Sequence, residues 1–99
     1  MDVQEETNGS VCQLRIAGEM TIYTALELKP RLLGSLAQCD RLEVQVSDVT
    51  EVDTAGLQLL LLAKREASSA GKQVQVLAPS PAMQEAMQQF YLNANLESL

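Results

Sequence analysis

The chain has no histidine and no tryptophan, and aromatic residues make up only 3% of its 99 positions. Without histidine it cannot form a Ser-His-Asp triad, a Cys-His pair or a histidine-ligated metal site. The sequence also contains no phosphate-binding glycine loop and no pairing of a nucleophile with a base. These absences predict that the chain is not an enzyme, has no catalytic residue and needs neither a metal nor another cofactor.

Basic residues and long apolar runs are scarce as well. Seven Lys and Arg against 13 Asp and Glu give a net charge of −6, whereas nucleic acids are bound by clustered basic side chains. Asp2, Glu5 and Glu6 stand where a signal peptide would be basic and then apolar. The longest apolar run, residues 59–63, is far shorter than the roughly 20 residues that cross a bilayer. We therefore expect a cytoplasmic protein that binds no nucleic acid and does not insert into a membrane.

The two cysteines, Cys12 and Cys39, do not have the spacing of a metal-binding or redox motif. Cys12 belongs to an alternating apolar pattern with Leu14 and Ile16. Both thiols are therefore predicted to be reduced and to serve as small buried apolar residues.

Alternating polarity predicts the strands of one small domain that spans residues 1–99. The pair Asn8-Gly9 is a hairpin signal, with a strand at 11–17 after it and a weaker strand near Val3 before it. Two further strands are predicted at 42–46, ending near residue 46 or 47, and at 74–76. Because polar residues alternate with apolar ones, we expect helices on one face of the sheet and water on the other.

The first predicted helix starts after Thr24, which with Glu27 forms a capping-box pattern. Tyr23 and Leu28 are placed for a hydrophobic staple, and Pro30 predicts a kink or a late start. The apolar face of this helix is predicted to consist of Ala25, Leu26, Leu32, Leu33, Leu36 and Ala37.

Two more helices complete the order β-β-α-β-α-β-α. One covers about 54–70 and is stopped by Gly71, and the other opens with Ser80 as N-cap and Pro81 at its first position. The last helix carries an apolar stripe that we assign to the core: Met83, Met87, Phe90 and Tyr91. The expected fold is α/β, a small mixed sheet of about four strands with about three helices packed mainly on one face.

The end of the third predicted strand and the start of the second helix lie in residues 44–61, which read VQVSDVTEVDTAGLQLLL. Gly56 costs about 1 kcal/mol relative to alanine inside a helix, which is understandable if a backbone or ligand approaches closely. Asp53 or Thr54 can cap the helix start. A phosphate on Thr54, with a charge of about −1.5 to −2, would lie where a helix N-terminus favours anions. The residues alone leave a plain cap and a modification site both open.

This segment resembles the core motif of the STAS domain, which sulfate transporters share with bacterial anti-sigma factor antagonists. That motif is a strand ending in L-S, followed by x-V-x-x-I/V-D-S/T-x-G-L and a helix. The matching residues are Val46-Ser47, Val49, Val52, Asp53, Thr54, Gly56 and Leu57, with Gly18-Glu19 and Ser80-Pro81 matching motifs on either side. The resemblance covers nearly the whole chain and implies a single STAS domain.

The resemblance implies a non-enzymatic module that is phosphorylated on Thr54 and, when unphosphorylated, binds a serine/threonine kinase or anti-sigma factor. Similar domains act in chemotaxis-type signalling. The alternative is a constitutive STAS subunit of a phospholipid-trafficking ABC transporter or signalling scaffold, without phosphorylation. The chain departs from the antagonists at Thr21 and Gln45, where an Asp is frequent.

The helix that starts at Thr54 is more apolar than a helix with one buried face needs to be. Its predicted buried stripe is Leu57, Leu60, Leu61, Ala63 and Ala67, and Leu62 falls outside it. An exposed leucine is common and can lack any function. The functional hypothesis is a partner-binding surface made of Thr21, Asp53, Thr54, Gln58, Leu59, Leu62 and Arg65.

Overall fold

The computed structural model describes residues 1–89 and contains the expected alternation of strands and helices. The strands are β1 (Asp2–Asn8), β2 (Val11–Met20), β3 (Arg41–Val52) and β4 (Gln73–Leu77), and the helices are α1 (Ala25–Gln38), α2 (Thr54–Ser69) and α3 (Pro81–Gln89). This order confirms the α/β fold predicted from the sequence.

The strands form one mixed sheet in the order β1-β2-β3-β4. β1 and β2 are antiparallel and joined at the predicted hairpin, where Asn8 pairs with Val11 and Gly9 adopts a φ of 64°. β2, β3 and β4 are parallel. Parallel neighbours require crossover connections, which α1 and α2 supply.

The two faces of the sheet differ in polarity, because successive side chains of a strand point to opposite faces. The face under the helices contributes the buried core residues Cys12, Leu14, Ile16, Leu42, Val44, Val46 and Val74. On the other face, Gln13 donates to Glu43 at 2.9 Å and Arg15 donates to Gln45 at 3.3 Å. The predicted division into a helix-covered face and a polar face is confirmed.

β3 is longer than the alternation predicts. It continues past residue 47 to Val52, because β2 also continues to Met20 and pairs with it there. Register shifts after Arg15 and after Gly18 keep the two strands together. As a result, the connection between β3 and α2 consists of the single residue Asp53.

The start of α1 differs from the predicted capping box. The Thr24 hydroxyl makes no side-chain cap to the helix and lies instead 3.0 Å from the carbonyl oxygen of Glu19. Tyr23 is 90% exposed, so it forms no staple with the fully buried Leu28. The helix nevertheless begins at Ala25 and contains Pro30, so the late start is wrong.

The buried face of α1 also differs from the prediction, for a reason of helical phase. Its members are Leu28, Leu32, Ser35 and Leu36. Leu26 is two residues from Leu28, which at 3.6 residues per turn places it on nearly the opposite side. Leu26 is consequently 90% exposed, and Ala37 is exposed as well.

The ends of the other two helices follow the sequence signals. At the end of α2, Gly71 has a φ of 69° and the Lys72 N–H donates to the Ala67 carbonyl at 2.8 Å, as in a glycine-terminated helix. At the start of α3, the Ser80 hydroxyl accepts from the Met83 N–H at 3.1 Å. Met83 and Met87 are buried as predicted, whereas Phe90 and Tyr91 lie outside the described residues.

Both cysteines are free and buried in the core. Burial, together with the neighbouring Cys12, raises the pKa of the Cys39 thiol to about 11. The prediction of buried thiols is therefore confirmed. Among residues 1–89, no helix combines the length and apolarity that crossing a membrane requires.

Candidate functional site

Asp53 joins two segments of the chain that are far apart in sequence. Its Oδ1 accepts a hydrogen bond from the Gly56 N–H at 3.0 Å, in the first turn of α2. Its Oδ2 accepts one from the Ile22 N–H at 2.9 Å, in the loop between β2 and α1. Asp53 is therefore the N-cap of α2 and at the same time the residue that fixes this loop to the helix.

Gly56 allows the close approach that this junction needs. A Cβ at this position would lie 2.1 Å from the Met20 carbonyl oxygen, well inside van der Waals contact. The same carbonyl accepts the Asp53 N–H at 3.2 Å. The glycine inside a helix, which its propensity disfavours, is thus explained by the passage of another backbone, as one of the sequence interpretations proposed.

Thr21 does not lie on the surface, although the sequence hypothesis includes it among the partner contacts. Its side chain is only 5% exposed, and its hydroxyl accepts from the Tyr23 N–H at 3.3 Å. The Thr24 hydroxyl in turn accepts from the Thr21 N–H at 3.0 Å. The structure therefore makes Thr21 part of the internal support of the loop.

The loop and the first turn of α1 together present apolar residues whose exposure the sequence pattern did not predict. Ile22, Tyr23 and Leu26 are 64%, 90% and 90% exposed, and we call these three residues the apolar corner. The sequence pattern instead predicts a staple at Tyr23 and a core position at Leu26. Two signals could have found them: large apolar residues after a strand end, and the phase difference between Leu26 and Leu28. Exposed apolar clusters are typical of interaction sites.

A groove between α1 and α2 brings together four of the predicted partner contacts. We call it the α1–α2 groove; its lining residues are Ala25, Lys29, Ala55, Gln58, Leu59, Leu61, Leu62 and Arg65. Leu59 is buried, and Leu62 is partly buried against the core rather than projecting freely. Leu62, which the periodicity places outside the apolar stripe of α2, therefore forms part of the groove.

Thr54 is the exposed first residue of α2, between Asp53 and the groove-lining Ala55. Its hydroxyl belongs to the class of groups that protein kinases modify, and it lies at a helix N-terminus, where the backbone favours an anion. Through the Asp53–Ile22 hydrogen bond, the same position adjoins the apolar corner. Thr54 thus stands in the chain between Asp53, which anchors the apolar corner through Ile22, and Ala55, which lines the groove.

The chain is thus a small α/β domain with a four-stranded mixed sheet, helices on one face and an Asp-Thr pair at the start of α2. The family model described as "Mlab, STAS domain" matches residues 3–98, and the chain belongs to this family. The STAS assignment made from the motif is therefore confirmed.

Solved structures with the same fold include anti-sigma factor antagonists and a transporter-related protein. An antagonist from Mycobacterium paratuberculosis superimposes with a TM-score of 0.85 at 20% identity, covering 96% of this chain and 81% of that one. The antagonist SpoIIAA in its unphosphorylated form gives 0.79 at 18%, covering 94% and 84%. A sulfate transporter family protein from Wolinella succinogenes gives 0.74 at 18%, covering 92% and 75%. No curated protein sequence matches the chain.

Proposed function

We propose that this protein is a non-enzymatic partner-switching module of cytoplasmic signal transduction, regulated by phosphorylation of Thr54. One observation carries the proposal. Both oxygens of Asp53 are held by backbone N–H groups, while the adjacent Thr54 is exposed beside the apolar corner. A modifiable hydroxyl is thus combined with a rigid support and an apolar contact surface.

The chemistry of the site explains how the switch operates. A phosphate on Thr54 adds a charge of about −1.5 to −2 at a helix N-terminus, where the fold accommodates it. A partner that covers the apolar corner would remove this phosphate from water, next to the carboxylate of Asp53. Burying such a charge without a counter-ion is costly. The fold therefore tolerates phosphorylation, and the complex does not.

The partner in this proposal is a serine/threonine kinase or anti-sigma factor, or a protein of a chemotaxis-type system. Support comes from the likeness to SpoIIAA, an anti-sigma factor antagonist with known unphosphorylated and phosphorylated forms. Thr54 occupies the acceptor position of the motif, with threonine replacing the more frequent serine.

Phosphate mapping tests this proposal. The protein is incubated with ATP and an extract of its native cells, and tandem mass spectrometry locates any added phosphate. We expect a single increment on Thr54 that the Thr54→Ala variant lacks. Thr50→Ala serves as the control, since Thr50 is also exposed but lies on β3. An increment that persists in Thr54→Ala, or none in the parent protein, contradicts the proposal.

A second candidate is a constitutive subunit of a phospholipid-trafficking ABC transporter or of a signalling scaffold. The exposure of Tyr23 and Leu26, at 90% each, favours it, because permanent interfaces cover apolar surface of this kind. The fold shared with a sulfate transporter family protein is consistent with it. This candidate predicts a complex that is equally stable with and without a phosphate on Thr54.

A further inference from the structure

The α1–α2 groove differs in charge from the rest of the protein. The whole chain carries a net charge of −6. Among the eight groove-lining residues, however, Lys29 and Arg65 are basic and none is acidic. Neither of these two side chains forms an ion pair with any residue between positions 1 and 89. The groove is therefore a positively charged, apolar strip on an acidic protein.

The nearby acidic side chains do not line the groove. Both oxygens of Asp53 accept backbone N–H groups. Glu66 follows Arg65 along α2 but does not line the groove. Glu19 and Glu51 are opposite each other in the β2–β3 register, and neither is among the lining residues.

The length of the groove along α2 suits a short helix. On α2 the lining extends from Ala55 to Arg65, ten residues apart, which at 1.5 Å per residue is about 15 Å, or about three helical turns. Leu59, Leu61 and Leu62 give it an apolar wall, and Lys29 lies across from them on α1. A groove of this kind typically receives anchors at spacings of three and four residues.

We infer that the α1–α2 groove binds an amphipathic helix of a partner protein, whose apolar side chains contact the leucines and whose carboxylates meet Lys29 and Arg65. The inference rests on the proposed function, and it states the direction of the switch: phosphorylation of Thr54 weakens binding at the groove. The groove opens at Ala55, next to Thr54, so a phosphate there would repel an acidic occupant.

Site-specific photo-crosslinking tests the inference. A benzophenone amino acid replaces Gln58, which lines the groove, or Gln13, which lies on the open face of the sheet. Each full-length protein is irradiated in an extract of its native cells, and the crosslinked peptides are sequenced by mass spectrometry. From position 58 we expect one segment with apolar residues at helical spacing flanked by Asp or Glu. Position 13 is expected not to give this segment.

Charge reversal provides the matched comparison. The pair Lys29→Glu and Arg65→Glu is expected to reduce the crosslink from position 58 at least ten-fold. The pair Arg15→Glu and Arg31→Glu changes the net charge equally but lies outside the groove, and is expected to leave the yield within two-fold. Circular dichroism establishes that each variant is folded.

Several outcomes overturn the inference. These are a crosslinked segment rich in Lys or Arg, a second copy of this chain, no segment at position 58, or a yield that charge reversal does not change. If crosslinks occur from position 23 of the apolar corner but not from position 58, the groove inference fails and the proposed function stands. If a phosphate on Thr54 leaves the groove crosslink unchanged, the proposed function fails instead.

Discussion

The N-termini of α2 and α3 are capped in the same way but differ in their surroundings. In both, the side chain before the helix accepts the N–H three residues on: Asp53 from Gly56 at 3.0 Å and Ser80 from Met83 at 3.1 Å. Ser80 is 5% exposed, and its hydroxyl bond serves only its own helix. Asp53 uses its second oxygen to hold Ile22, 31 positions away.

This difference shows how a local capping signal becomes part of a candidate functional site. At the start of α3 the capping residue Ser80 is buried and its hydroxyl accepts from the Met83 N–H, so this cap stabilises its own helix. The start of α2 is open, and its cap also fixes a loop that exposes Ile22 and Tyr23 beside Thr54. Two similar capping signals thus produce a helix start with a structural role at α3 and a candidate functional site at α2.

Substitution of Gly56 is expected to produce the largest loss of stability. In Gly56→Ala the new Cβ would lie 2.1 Å from the Met20 carbonyl oxygen, so backbone must move. We expect a loss of at least about 3 kcal/mol, at the upper end of overpacking effects, measured by urea unfolding. The control is Gly34→Ala, in α1, where the Cβ meets nothing within 4 Å. It is expected to stabilise by about 0.5–1 kcal/mol; equal effects at the two glycines would refute the close approach.

Removal of each cap tests the comparison directly. Asp53→Ala loses two hydrogen bonds and is expected to cost about 2 kcal/mol, whereas Ser80→Ala loses one and is expected to cost about 1 kcal/mol. Hydrogen exchange gives the sharper distinction. The Ile22 amide should exchange faster in Asp53→Ala and at the parent rate in Ser80→Ala. An unchanged Ile22 rate in Asp53→Ala would mean that Asp53 is a cap and nothing more.

Truncation of the apolar corner is expected to have the smallest effect on stability. Tyr23 and Leu26 are 90% exposed, so the double variant Tyr23→Ala/Leu26→Ala should unfold within about 0.5 kcal/mol of the parent protein. Partner binding, measured by quantitative capture from native extract, should weaken at least ten-fold, as at interface anchors. The control, Gln84→Ala/Glu85→Ala, changes exposed residues at the start of α3 and should leave binding intact. A large loss of stability without a loss of binding would contradict the assignment.

Much of the fold was predictable because its signals are local. The Asn8-Gly9 hairpin, the Ser80 cap and the Gly71 helix end each depend on residues within one turn of each other. The conflict between Gly56 and its helix was also visible in the sequence. Its cause, the Met20 carbonyl, was not, because it comes from a strand more than 30 positions earlier.

What the sequence did not show depends on contacts between distant segments. The Ile22–Asp53 hydrogen bond spans 31 positions. The extension of β3 to Val52 depends on pairing with β2 through two register shifts. Leu26 was misassigned because several phases of α1 are apolar, and packing on the sheet selects the one that contains Leu28. The apolar corner follows from that selection.

The most direct test of the proposed switch places a single phosphate at either end of α2. Phosphothreonine is incorporated at position 54, and phosphoserine at Ser68, an exposed residue of the last turn about 21 Å along the helix. Capture of partner proteins from native extract is then quantified for the two modified proteins and the unmodified one. The account predicts at least a ten-fold loss with phosphate at position 54 and no more than a two-fold change with phosphate at position 68. Equal capture by all three proteins would contradict it.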